Sequence, residues 1–175
     1  SLLLITGSAF LLFLYVESRL THYPTFDLSL FTKNRLFAAA NTAALLNYIA
    51  VSGVTLMISI YLQDVQGLQP QSAGFFLIAM SVAMALLSPF SGWLSDRFGS
   101  RLLSSVGMLI VTVGLLLLSQ LDITSSANDI VLRLTILGVG FGLFSSPNTR
   151  AVMGSVHRSK LGVASGTLST MRSTG

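Results

Sequence analysis

Long stretches without a charged residue alternate with short polar segments along this chain of 175 residues. The longest uncharged stretches cover residues 36–63, 65–95 and 102–121, which is 28, 31 and 20 residues. A helix needs about 20 apolar residues to cross bilayer hydrocarbon, whereas a barrel strand needs only about 9–11 residues that alternate in polarity. Because backbone groups in lipid must hydrogen-bond internally, these stretches are predicted to be membrane-spanning helices.

The apolar pattern predicts spans at residues 1–16, 36–62, 71–95, 102–121, 130–152 and 162–175. The first segment has neither the basic leader nor the cleavage site of a signal peptide. We interpret the first and last segments as truncated spans, which makes the chain a piece of a larger protein. The expected fold class is an all-α membrane protein, a helical bundle with four complete spans plus two truncated ones. Residues 1–175 are expected to form a single transmembrane region.

Composition supports this class and excludes several others. Hydrophobic residues make up 52% of the chain and charged residues 9%, against about a quarter charged in soluble domains. The absence of cysteine excludes a disulfide framework and thiolate metal sites. No spacing of catalytic or metal-ligating residues is present, so we expect neither an enzyme nor a bound metal or cofactor.

The positions of the charges predict an orientation. The loops at 17–35, 96–101 and 154–161 contain seven cations, and the two loops between them contain only three aspartates. The positive-inside rule therefore places loops 17–35, 96–101 and 154–161 in the cytoplasm. The net charge of +4 is explained by this orientation and does not indicate a nucleic-acid partner.

Polar residues form a stripe along the predicted 36–62 helix. At 100° per residue, five side chains project in nearly one direction: Asn41, Tyr48, Ser52, Thr55 and Ser59. Such a stripe either lines a water-filled translocation path or forms hydrogen bonds with neighbouring helices.

Three arginines lie inside predicted spans. Arg150, near the predicted cytoplasmic end of its helix, is interpreted as an interfacial anchor. Arg133 follows Asp129 by four residues, so it either pairs with that carboxylate, extends to the outer interface, or faces substrate. Arg172 lies roughly 18 Å along its helix from Lys160, near the middle of the bilayer, where an arginine costs about 2.5–3.5 kcal/mol. It should therefore face an aqueous cavity or the bundle interior, unless the helix begins later than predicted.

Small residues recur where helices are expected to pack closely. They form one stripe on the 71–95 helix, a cluster on the 130–152 helix and a pair on the last helix: Gly74, Ser81, Ala85, Ser88, Gly92; Gly138, Gly140, Gly142; and Gly162, Gly166.

The loop between the second and third complete spans has the sequence GWLSDRFGSR, at residues 92–101. It resembles the signature loop of the major facilitator superfamily, G-x-L-x-D-R-x-G-R-R/K, with Ser100 in place of a basic residue. The resemblance implies a gating motif formed by Gly92, Asp96, Arg97, Gly99 and Arg101. Asp96 would then lie at a helix N-terminus or pair with an arginine, while the arginines would bind carboxylates or lipid phosphates. Alternatively, these charges only fix the topology.

Other segments resemble the fourteen-span drug:proton antiporter branch of the family, among them residues 24–31 and the sequence from Gly162 to Gly166 followed by Arg172. This resemblance implies a transporter in the inner (plasma) membrane that exports amphipathic organic compounds by proton antiport with alternating access. Its partners would be the lipid bilayer, a small amphipathic substrate, protons and the remaining half of the transporter. The alternatives are a superfamily transporter of a specific metabolite, and a non-transporting membrane sensor or assembly protein.

Overall fold

The computed structural model describes residues 28–175, and these form six α-helices. They are α1 (Leu28–Lys33), α2 (Arg35–Ile60), α3 (Pro70–Phe98), α4 (Ser100–Leu118), α5 (Ala127–Gly154) and α6 (Leu161–Thr174). A π-helical turn, Tyr61–Val65, continues α2, and a 3₁₀ turn, Arg158–Lys160, precedes α6. The predicted span at 1–16 and residues 17–27 of the following loop lie outside the described residues.

Four of these helices are long and apolar enough to cross a membrane: Arg35–Val65, Pro70–Phe98, Ser100–Leu118 and Ala127–Gly154. Residues 28–175 contain no β-strand. The expected all-α membrane fold is therefore confirmed. Large apolar side chains remain exposed along the outer faces of α3 and α4, as expected where lipid is the solvent: Phe75, Ile78, Val82, Leu86, Phe90, Leu102, Leu109 and Leu116.

Polar caps define where two of the spanning helices begin. The Asn34 side-chain oxygen accepts a hydrogen bond from the Phe37 backbone N–H at 3.1 Å, which satisfies a free donor at the start of α2. Ser126 does the same for α5, since its hydroxyl oxygen accepts from the Asp129 N–H at 3.2 Å. The turn between α3 and α4 is made by Gly99, whose φ of +84° is rarely adopted by residues with a side chain.

Glycines on two faces of α5 allow α3 and α4 to approach its backbone closely. A Cβ atom on Gly140 would lie 2.6 Å from the Val111 backbone nitrogen of α4, and one on Gly138 would overlap the Met80 carbonyl oxygen of α3. The close packing predicted for the glycines at 138, 140 and 142 is confirmed. α5 therefore lies between α3 and α4 and is the most buried of the four long helices.

For several other small residues, the described part of the chain shows no such packing. A Cβ on Gly74, Gly162 or Gly166 would meet no atom within 4 Å in the described part of the chain. Gly92, in contrast, packs against α5, with the Ser146 hydroxyl oxygen 3.0 Å from its virtual Cβ.

The core of the described residues has two apolar clusters. One joins α2, α3, α4 and α5 and includes Ile58, Leu62, Met80, Val111, Leu134 and Leu137. The other joins the first part of α2 to the end of α5 and to α6: Phe37, Ala40, Ala44, Val152, Ala164 and Leu168. The second cluster fixes the position of α6 against α2 and α5.

Candidate functional site

Arg172 lies where three helices meet. Its Nη2 donates a hydrogen bond to the Thr149 hydroxyl oxygen of α5 at 3.0 Å. The guanidinium carbon also lies 5.6 Å from the ring centroid of Tyr48 on α2, within the range of a cation–π interaction. The Tyr48 ring packs edge-on against Phe141, at a centroid distance of 5.4 Å. Arg172 nevertheless remains exposed, so the cluster presents a cation at an accessible surface.

The helix geometry explains how Arg172 reaches Thr149. α6 begins at Leu161, so Arg172 lies about 17 Å along the helix axis from its first residue. Helical side chains lean toward the N-terminus of their own helix. The guanidinium is thus directed back toward the end of α5, where Thr149 lies five residues before the last helical residue, Gly154.

Three residues of the predicted polar stripe line a cavity of about 560 Å³ between α2 and α3. Ser52 is exposed, and the Thr55 hydroxyl donates to the Val51 carbonyl at 2.8 Å. The Ser59 hydroxyl accepts a hydrogen bond from the Gln63 amide at 2.9 Å. The hydroxyl oxygens of this group are therefore placed beside open space in the C-terminal half of α2.

The remaining stripe residue, Asn41, has a different environment. It is fully buried, and its amide nitrogen donates to the Phe37 carbonyl at 2.9 Å. Its side-chain oxygen has no hydrogen-bond partner within residues 28–175. The stripe therefore divides into a buried amide, an aromatic ring beneath Arg172, and three hydroxyl groups at the α2–α3 cavity.

Arg133 is half-buried and lies apart from this cluster. Its Nη1 donates to the Leu117 carbonyl oxygen at 2.6 Å, near the C-terminal end of α4. The carboxylate of Asp129 instead accepts from the Ser126 hydroxyl at 2.9 Å. A cation that binds a carbonyl oxygen in the last turn of a helix also interacts favourably with the helix dipole. In this structure Arg133 thus joins α5 to the end of α4.

In the signature loop, Asp96 forms an ion pair with Arg150 of α5. Asp96 belongs to the last turn of α3, and α4 has no side-chain cap at its N-terminus. Of the two arrangements that the resemblance implied, the structure shows the pair with an arginine. Sequence reasoning interpreted Arg150 only as an interfacial anchor. The signal that could have identified it is its place near the C-terminal end of α5, on the same predicted side of the membrane as Asp96, the only carboxylate at residues 96–101.

The other residues of the loop have separate environments. Arg97 lies over the ring of Trp93, one turn earlier on the same helix, at 4.6 Å from the centroid. Arg101 lines a second, larger cavity between α2, α4 and α5. Gly92 and Gly99 supply the close contact and the positive φ already described. Residues 28–175 contain no group of His, Asp or Glu that could hold a metal ion.

The amino-acid sequence is similar to a known protein family and to several of its members. The model of the Major Facilitator Superfamily matches residues 1–175. The chain is 34% identical over 94% of its length to the multidrug resistance protein Stp of Mycobacterium tuberculosis, and 31% identical over 83% to the riboflavin transporter RibZ of Clostridioides difficile. It is 30% identical over 98% to the methyl viologen resistance protein SmvA of Salmonella typhimurium. The chain spans about a third of the length of these relatives, from 30% to 34%.

Proposed function

Because the chain belongs to the major facilitator superfamily, we propose that it forms part of a secondary active transporter that exports amphipathic organic compounds. Family membership indicates a multi-pass membrane protein, and a transporter rather than an enzyme. Two of the relatives carry drug or toxicant resistance in their names, which supports an organic substrate. We place the transporter in the inner (plasma) membrane, with protons as coupling ion and alternating access as its mechanism.

The observation that carries this proposal is the exposed cation at the junction of α2, α5 and α6. An arginine inside a membrane bundle is costly and is usually retained for a function. Here the guanidinium is held by Thr149 and Tyr48 but is not neutralised by a carboxylate within residues 28–175. An accessible cation that rests on an aromatic ring can bind an anionic or aromatic group of a substrate, or repel a coupling proton.

The α2–α3 cavity extends the proposed path toward the other side of the membrane. Tyr48 and Ser59 lie 11 residues apart on α2, which corresponds to about 17 Å along the axis. Apolar walls with a few hydroxyl groups suit an amphipathic molecule, because burial of its apolar part is favourable while its polar atoms find donors and acceptors. Arg172 and the hydroxyl cavity thus form two parts of one proposed route.

Substitution of Arg172 in the full-length transporter tests this proposal. We expect Arg172→Ala to abolish or alter efflux of a fluorescent amphipathic dye without a change in protein abundance. Arg172→Lys should restore only part of the activity, since a lysine cannot present the planar guanidinium to both Thr149 and Tyr48. Efflux rates in cells, normalised to the amount of protein in the membrane, measure both effects.

Accessibility of the same position separates a substrate role from a packing role. Arg172→Cys should react with a membrane-impermeant thiol reagent, and substrate should slow that reaction. For the efflux measurement, Arg158→Ala is the matched control of Arg172→Ala, because Arg158 is an exposed cation in the turn before α6. Its efflux rate should be normal. Normal efflux by Arg172→Ala together with an inert Arg172→Cys would show that Arg172 only packs.

A transporter of a defined metabolite is the second candidate function. The similarity to a riboflavin transporter supports it, since this relative matches the chain as well as the resistance proteins do. Competition distinguishes the two functions. In a metabolite transporter, only close analogues should inhibit transport of the labelled substrate. In a multidrug exporter, chemically unrelated dyes and cations should also inhibit it.

A further inference from the structure

A second cavity, larger than the one between α2 and α3, is not part of the route proposed above. It has a volume of about 720 Å³ and lies between the first turns of α2 and α4 and the last turns of α5. Its walls are mainly apolar and include Ala43, Met108 and Phe144. The residues at its edge, Leu36 and Ala39, are exposed, so the cavity is open on this side within residues 28–175.

Two arginines line this cavity at one end. Arg35 is the first residue of α2, and Arg101 is the second residue of α4. Both are exposed, and the ion pair recorded in residues 28–175 joins Asp96 to Arg150 instead. Within the described chain, neither guanidinium is therefore neutralised by a carboxylate. By the charge distribution of the loops, both lie at the cytoplasmic interface of the membrane.

We propose that this cavity binds an acidic phospholipid of the inner leaflet. Its phosphate would lie between Arg35 and Arg101, because guanidinium groups bind phosphate oxygens with charge-assisted hydrogen bonds. One acyl chain would lie along the apolar wall, in contact with Ala39 and Met108. The cations of the site lie at the interface and its apolar residues lie deeper in the membrane. A phospholipid has the same arrangement, with a charged headgroup at the interface and acyl chains below it.

Charge complementarity favours this occupant over others. A cationic drug is repelled by two unpaired arginines, and an uncharged apolar helix leaves both of them without a counter-ion. A free phosphate ion would satisfy the arginines but would not fill the apolar part of the cavity. The proposal adds a lipid site to the protein and does not depend on the identity of the transported substrate.

Native mass spectrometry of the delipidated full-length transporter tests this site. Titration with phosphatidylglycerol and with phosphatidylcholine compares an acidic headgroup with a zwitterionic one of similar chain length. Each interfacial arginine is expected to contribute about fivefold to acidic-lipid affinity, so Arg35→Gln/Arg101→Gln should weaken phosphatidylglycerol binding roughly thirtyfold. Arg158→Gln removes an exposed cation outside the cavity and should leave binding within about twofold of the unsubstituted protein.

A second variant, Ala39→Phe, retains both charges and fills the apolar part of the cavity. It should reduce the binding of phosphatidylglycerol while melting at the temperature of the unsubstituted protein. Equal binding of the two lipids, or equal losses in Arg158→Gln and the double variant, would overturn the proposal. Destabilisation by Ala39→Phe with lipid binding unchanged would also overturn it, because another helix of the transporter would then occupy the cavity.

Discussion

The ion pair between Asp96 and Arg150 allows a quantitative prediction about the signature loop. The two side chains are 57% and 49% exposed, respectively, so water and salt screen their attraction. Measured exposed pairs of this kind contribute about 0.2–1 kcal/mol. A contact can shift a conformational equilibrium by no more than the free energy it contributes. Removal of the pair should therefore change the ratio of two alternating states by at most about fivefold.

A double-mutant cycle in the full-length transporter measures this effect. Asp96→Asn and Arg150→Gln should each lower the efflux rate, by about 1.4-fold to fivefold, because each removes the same pair. The double variant should lose no more than either single variant. The charge swap Asp96→Arg/Arg150→Asp should restore part of the rate. Arg158→Gln, which removes a cation on the same predicted side of the membrane, is the matched control.

Two results would refute this reasoning. If the losses of efflux rate are additive in the double variant, the two side chains act independently. The ion pair in the structure would then make no contribution to transport. A loss of a hundredfold in either single variant, at normal protein abundance, would exceed what a screened pair can supply. In that case Asp96 or Arg150 would have to contact another group during the transport cycle.

Two further predictions concern packing and topology. Gly138→Ala forces α3 and α5 apart and should lower the free energy of unfolding by about 1–3 kcal/mol, whereas Gly74→Ala, on an open face, should leave the thermal melting temperature equal or higher. Equal effects of the two alanines would contradict the packing argument. Cysteines that replace Ser100 and Gln66 should react with an impermeant thiol reagent from the cytoplasmic and the outer side, respectively. Reaction of both from one side would end the proposed topology.

The sequence allowed prediction of the spanning helices because the underlying physical requirement is local. A helix in lipid needs only length and apolar side chains, and 65–95 contains both in one uncharged stretch. The bounds differ where local hydrogen bonds extend a helix. α5 begins at Ala127 and not at residue 130, since the Ser126 cap lies before the first strongly apolar residue.

The candidate site was less predictable, because its contacts join residues that are distant in sequence. The polar stripe of α2 identified Tyr48 and Ser52, but the sequence alone did not show that one lies beneath Arg172 and the other beside a cavity. The pair of Asp96 and Arg150 is separated by 54 positions and depends on the packing of α3 against α5. Periodicity describes the face of one helix and contains no information about which helix covers that face.

The packing of α5 indicates which helices are free to move during transport. Its glycines bring the backbones of α3 and α4 into close contact with the backbone of α5. Movement of α3 or α4 relative to α5 would therefore have to break several close contacts at once. α2, by comparison, packs less tightly, because one cavity lies between part of α2 and α3, and another lies between its first turns and α4. Packed cores change between discrete arrangements and do not deform continuously. We therefore expect α3, α4 and α5 to move as one body, and α2 and α6, which hold Tyr48 and Arg172, to shift against it.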